Sequence, residues 1–343
     1  MAVWDNASLT TPTVDVILLP GLVGDKARKL LLIINLVVIG QIVSVFGIVA
    51  NIINIAVFFR QGFSESTTIS LFALGIGDLC ALLLLQWFTL CINPWFSRLP
   101  LSFNPSEIQS LTAGYPRVCF VRITGWITAF VSFERCLSVA VPLKVKSIIT
   151  TRVAAYVNVL VFFFSFLGLI PVYATAYFDW KFYPQLNTSL VGILYTEHKD
   201  AVLGVSLFIT NLCAPLTSFA IVIICTSVIS FELRKKAKWR RHCSSSSQAI
   251  VSSEKNSGKE THVVVMVTVI SVLFIVSSTP VTCLLTVRSV VPDLSIVGRF
   301  SNLNWVLASL GFLMETVNSS VNIVVYYRMS TKYRDTLHAL FKC

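Results

Sequence analysis

Residues 116–141 read PRVCFVRITGWITAFVSFERCLSVAV, an apolar stretch broken by three arginines and one glutamate, with the acid and a base adjacent at Glu134 and Arg135. A helix of about 20 apolar residues spans the roughly 30 Å of bilayer hydrocarbon. Charge inside such a span is costly unless it faces a protein interior. The stretch therefore predicts a membrane helix within a bundle, with the Glu134 and Arg135 pair at its cytoplasmic end. Working outward, six stretches of similar character lie at about 30–59, 67–92, 152–177, 201–231, 261–291 and 303–327. Seven crossings make an all-α membrane protein, a seven-transmembrane helix bundle, and put the two chain ends on opposite sides.

Composition agrees. The chain has 343 residues, 55% of them hydrophobic and 13% charged, and a mean hydropathy of +0.78. That is more apolar surface than a soluble domain can bury. A net charge of +11 raises the question of nucleic acid, but its distribution points to membrane lipids instead. With the N-terminus outside, 17 of the 27 Lys and Arg residues fall in cytoplasmic segments, eight of them between Arg234 and Lys259. This is the positive-inside bias; Lys26, Arg28 and Lys29 run against it. The first 29 residues lack a basic start and apolar core, so they do not read as a cleaved signal. The expected organisation is an extracellular segment 1–29, a seven-helix bundle 30–327 with its third inner loop at about 234–259, and a cytoplasmic tail 328–343. A multi-pass protein of the plasma membrane follows. Asn6 and Asn187 open glycosylation patterns on the outer side; a third pattern at Asn318 falls within a crossing and is read as chance. The chain has no nucleophile beside a base and no metal-type Cys or His spacing, so neither an enzyme nor a bound cofactor is expected.

Local signals add detail. Asn104 and Pro105 predict a helix start, so the third helix runs from there to Val141, kinked at Pro116. The loop 178–199 is aromatic and polar, and reads equally as a lid over an outward pocket or as an interfacial aromatic belt. The run from Arg234 to Arg241, followed by Ser244 to Ser247, reads as a lipid-anchored basic loop and as a docking surface flanked by phosphorylation sites. After Tyr327, residues Tyr333, Leu337, Leu340 and Phe341 share one face, predicting a short amphipathic helix along the inner membrane surface. Cys343 either carries a palmitoyl chain there or stands unmodified.

Polar residues recur inside the crossings: Asn51, Asp78, Thr124, and then Glu315, Asn318, Ser319 and Asn322 at the i, i+3, i+4, i+7 spacing of one helix face. In order along the chain, Asn51, Leu74 with Asp78, Glu134-Arg135-Cys136 with Pro142-Leu143, Pro215, Phe274 with Pro280, and Asn318-Ser319-x-x-Asn322-x-x-x-Tyr326 resemble the motifs of rhodopsin-like G protein-coupled receptors. The resemblance covers roughly 30–341. In detail, Phe133-Glu134-Arg135-Cys136-Leu137 and the Asn318 to Asn322 run are similar to candidate chemosensory receptors of gastropod molluscs.

The resemblance implies an extracellular ligand bound in the outer half of the bundle and activation of a heterotrimeric G protein, with arrestin and receptor kinases as further partners. It implies a latch in which Glu134 and Glu260 hold Arg135, with Tyr326 nearby; the rival reading is an ordinary interfacial ion pair. It assigns Asn51, Asp78, Thr124, Asn318, Ser319 and Asn322 either to an allosteric sodium ion or to a hydrogen-bonded water network. By position Arg117, Val121, Asn211, Thr282, Phe312, Glu315 and Thr316 would line the ligand pocket. Arg117 lies eighteen residues, five turns, before Arg135 and so on the same face. It either meets an anionic group of a small molecule or peptide or pairs with Glu315. Arg122 points about 140° away, toward neighbouring helices. The chain departs from the pattern at Ile323 in place of proline, Ser278 in place of tryptophan and Ile223 in place of tyrosine. The usual outer disulfide is not expected, because 178–199 contains no cysteine; Cys91 with Cys119 is the remaining pairing. A transporter or channel is the alternative class, but neither inverted repeats nor matched broken helices are present.

Overall fold

The computed structural model describes residues 22–141, 145, 147–184, 187–243, 254–295 and 298–341, with side chains in all but 236–243, 254–262 and Pro292. Among these residues, seven long helices and a short eighth follow the apolar stretches. α1 is Asp25–Gln61, widened to a π-helix at Ile33–Ile39, and α2 is Ser66–Ile92. α3 runs as Pro105–Gln109, a π turn Ser110–Gly114, and Tyr115–Ala140. α4 is Thr151–Thr175, with a break after Leu167. α5 runs as Lys199–Phe208, a π turn Ile209–Cys213, and Ala214–Cys243. α6 is Glu254–Val290, α7 is Ser301–Met329 and α8 is Thr331–Phe341.

Five of these, α1, α2, α4, α5 and α6, are long and apolar enough to cross a membrane on length and composition. The two that fall short of that apolarity, α3 and α7, carry the polar face described above. Neighbours in the ring pack in sequence, α3 touches α2, α4, α5 and α6, and α7 closes back onto α1. Closure depends on Gly47: a Cβ there would stand 2.1 Å from the Ser320 Oγ of α7 and 2.8 Å from Leu82 of α2. An added methyl would push the three helices apart.

Asn104 caps α3 as expected, accepting from the Ser106 N–H at 3.1 Å. At Pro116 the helix is continuous, and a π turn, a common accommodation within long helices, lies just before it at Ser110–Gly114. α7 has no proline at Ile323 and continues unbroken to Met329. Around the third inner loop, expected at about 234–259, helix extends beyond the apolar stretches: α5 continues to Cys243 and α6 begins at Glu254. Arg, Lys and Ala form helix readily, and neither Gly nor Pro interrupts the basic run. Asn6, Pro142-Leu143-Lys144, Ser244 to Ser247 and Cys343 lie outside the described residues.

The loop 178–199 departs most from the expected all-helical chain. It forms an antiparallel hairpin, β1 Ala176–Tyr183 with β2 Thr188–Tyr195, paired from Ala176 with Tyr195 to Tyr183 with Thr188. Asn187 closes the turn at φ 48°, a left-handed conformation that Asn tolerates better than most residues. It is exposed at the hairpin tip, where a glycan would have room. Cys91 and Cys119 are buried and free.

Hydrogen bonds tie this hairpin to the outer end of α3. The Asn104 N–H donates to the Val191 carbonyl and the Val191 N–H to the Ser102 carbonyl, both at 2.9 Å. Glu107 accepts from Lys181 Nζ at 3.0 Å and from the Ile193 N–H at 2.9 Å. Ile193 then packs with Leu111, Val172 and Ala176 in a small buried cluster.

Candidate functional site

At the inner end of α3, Glu134 is 2% exposed and Arg135 pairs with it directly. The carboxylate has two further donors that the sequence did not single out, the hydroxyls of Ser66 and Thr67 in the first turn of α2, the latter at 3.2 Å. All three donors converge on Oε1, while Glu134 Oε2 and Arg135 Nε are buried without a hydrogen-bond partner; either charge alone would be costlier still at this site. Only the backbone of Glu260 lies within the described residues, in α6; its side chain does not. Just toward the bundle centre, Ser132 of α3 and Ser271 of α6 are joined through their hydroxyls at 2.7 Å.

Beside this end, Tyr326 is buried in an aromatic group with Phe58 at 5.1 Å and Tyr333 at 5.5 Å between ring centroids. Tyr333 corrects the simple amphipathic picture of α8. Of the face predicted to lie on the membrane, Phe341 is 71% exposed, Leu337 and Leu340 pack against the core, and Tyr333 is 1% exposed inside it. Its hydroxyl donates to Asn54 Oδ1 at 2.6 Å. Asn54 in turn donates to Asn51 Oδ1 at 3.4 Å, and Asn51 to the Ser319 carbonyl at 2.7 Å. A polar chain thus links α8 through α1 to α7.

Next to it, Asn322 Nδ2 donates to Asp78 Oδ2 at 3.0 Å. Asp78 Oδ1 and Asn322 Oδ1 are buried without a hydrogen-bond partner. Ser319 is buried, Asn318 is partly buried, and the Thr124 hydroxyl donates to its own helix at the Val121 carbonyl, 2.9 Å away. Two orphaned oxygens, one of them on a carboxylate, suit either a hard cation or water donors.

In the outer half, Arg117 is 4% exposed, bonds Glu315 at 3.1 Å and lies over the Phe312 ring at 4.6 Å. Phe88, not anticipated from the sequence, meets Phe312 edge to face at 6.3 Å. Thr316 is buried, its hydroxyl turned to the Phe312 carbonyl. Asn211 is not part of this group: it accepts from Arg122, on another side of α3. Val121 and Thr282 are partly buried. The geometry thus joins Arg117, Phe312 and Glu315, and separates Asn211 from them.

The family model described as serpentine type 7TM GPCR chemoreceptor Srw matches residues 38–343. A search among curated proteins finds no match.

Proposed function

Since the chain belongs to the serpentine type 7TM GPCR chemoreceptor family Srw, we propose that it binds a small extracellular anion or peptide in the outer half of its bundle and activates a heterotrimeric G protein at the inner end of α3. The N-terminus faces outward at the plasma membrane. The role is signal transmission rather than catalysis. The buried Glu134 and Arg135 pair supports this reading most strongly. An arginine held by a neighbouring carboxylate can be released only toward another partner, which makes a two-state element. When Arg135 leaves Glu134, the G protein meets it between the inner ends of α3, α5 and α6. Arrestin and receptor kinases would use the same inner surface.

Ligand binding reaches that element through α3. An incoming carboxylate competes with Glu315 for Arg117, five turns above Arg135 on the same face. A ligand shifts the equilibrium only by its preference for one state, and breaking the Arg117 to Glu315 pair supplies a difference between states. Asp78, Asn322 and Ser319, with the nearby Asn51, Thr124 and Asn318, would hold a sodium ion that favours the resting arrangement.

The test is nucleotide exchange on G proteins in membranes containing the chain, with a panel of carboxylates, amino acids and short peptides. Ligand-dependent exchange that Arg117→Ala shifts to higher concentration is the expected outcome. Solute flux in vesicles without nucleotide exchange would sink the proposal.

A further inference from the structure

We infer that Arg122 anchors a second, lipid-facing site between α3, α4 and α5 that binds the carboxylate of a long-chain fatty acid. Arg122 donates to Asn211 Oδ1, while its Nε is buried without a partner. No carboxylate lies within ion-pair distance of it among the described residues. Glu315, whose charge reaches Arg122, is already engaged by Arg117. A guanidinium within the bilayer with only an amide for a partner lacks its counter-ion.

Space for a counter-ion and its tail lies alongside. A cavity of about 420 Å³ is lined by Arg122, Trp126, Phe164, Ile209, Thr210 and Ala214 among others. Two features of the fold create it. The π turn Ile209–Cys213 carries Asn211 toward α3, and Gly168 ends the first part of α4 with no side chain, 3.0 Å being all a Cβ would have before Thr210. Phe164 and Ile209 are 63% and 54% exposed, so the cavity opens toward lipid rather than toward the bundle centre.

Depth selects the head group. Arg122 is thirteen residues from Arg135, about 20 Å along the helix. With Arg135 at the inner boundary, Arg122 lies roughly 10 Å below the outer edge of the hydrocarbon. A phospholipid head would have to be drawn below the interface with its glycerol and both chains. A single-chain carboxylate needs only to follow its own tail into the apolar cavity, and a guanidinium binds a carboxylate through paired hydrogen bonds. This site is separate from the Arg117 pocket and does not depend on G protein coupling.

Direct binding tests it without reference to signalling. The purified full chain in phosphatidylcholine nanodiscs is titrated with dibrominated stearic acid, whose bromines quench tryptophan fluorescence on contact. We expect saturable quenching, reduced mainly by Trp126→Phe among the seven tryptophans. Arg122→Gln keeps a donor for Asn211 and should weaken binding about tenfold or more. Ala214→Phe fills the cavity, leaves Arg122 in place and should abolish saturation. Equal saturation by the brominated methyl ester would reduce the site to an apolar crevice. Saturable quenching by brominated phosphatidylglycerol, but not by the acid, would assign Arg122 to phospholipid heads. An unchanged titration in Ala214→Phe would place the acid elsewhere. Any of these three overturns the inference.

Discussion

The two ends of α3 each carry a glutamate held by a cation and further donors, and they differ chiefly in water. At the outer end Glu107 and its partner Lys181 keep 27% and 41% of their side-chain surface exposed; at the inner end Glu134 and Arg135 keep 2% and 16%. In water, Coulomb attraction is screened and an exposed pair is worth about 0–1 kcal/mol. Out of water, either charge left alone costs several times that. The same chemistry therefore serves as a modest clamp on the hairpin at one end and as a buried pair, costly to break, at the other.

The strongest challenge to this contrast is removal of each acid. Glu134→Ala leaves Arg135 unpaired beside Ser66 and Thr67 and should cost about 3–5 kcal/mol, read as a fall in melting temperature in nanodiscs. Glu134→Gln, which retains an acceptor for the hydroxyls, should raise basal nucleotide exchange at matched surface expression. If Glu107→Ala were as damaging as Glu134→Ala, burial would not be the deciding variable.

A smaller effect is expected where a buried hydrogen bond is lost without a charge. Tyr333→Phe keeps the ring packed against Phe58 and Tyr326 but removes the donor to the buried Asn54 oxygen, at a cost of about 1–3 kcal/mol. A double-mutant cycle with Asn54→Val should show coupling between the two positions; strict additivity would break the polar chain from α8 to α1.

The smallest global effect belongs to Glu107→Gln. The amide oxygen still accepts from Ile193, so overall stability should change by less than about 1 kcal/mol, while hydrogen exchange in β2 accelerates. The pH dependence sharpens the point. Burial alone would raise the Glu107 pKa, but the hydrogen bonds from the Ile193 N–H and Lys181, with the Lys181 charge, help to outweigh it and hold the carboxyl below its usual range. Its contribution is therefore complete above the ordinary glutamate range and is lost as pH falls through the depressed value. The Glu107 hydrogen bond raises the Lys181 pKa, so that contribution is complete below the ordinary lysine range and is lost as pH rises through the raised value. Hairpin exchange protection should fade at both extremes; a flat profile would remove the clamp.

Much of this architecture was legible along the chain. Apolar length gave the crossings, Asn104 and Pro105 gave the start of α3, and the i, i+3, i+4, i+7 spacing gave the polar face of α7, because each is a local consequence of helix geometry. The hairpin was not legible, since its aromatic strands suit an interface as well as a sheet and its anchor, Glu107, lies more than seventy residues away. Ser66 and Thr67 gave no signal of their own: a hydroxyl in the first turn of a helix is an ordinary neighbour until another helix places a carboxylate beside it.

Arg117 and Arg122 show where the division falls. Periodicity alone put them about 140° apart on α3, and composition alone made both expensive in a bilayer. Which partner each one met was decided by helices ninety to two hundred residues away: α7 brought Glu315 to Arg117, and the π turn of α5 brought Asn211 to Arg122. The sequence determined the spans, their faces and the charges they must accommodate, because those depend on spacing along one helix. The tertiary structure alone decided which charges are neutralised and which is left with only an amide, because pairing depends on the depth and rotation of helices that only packing sets.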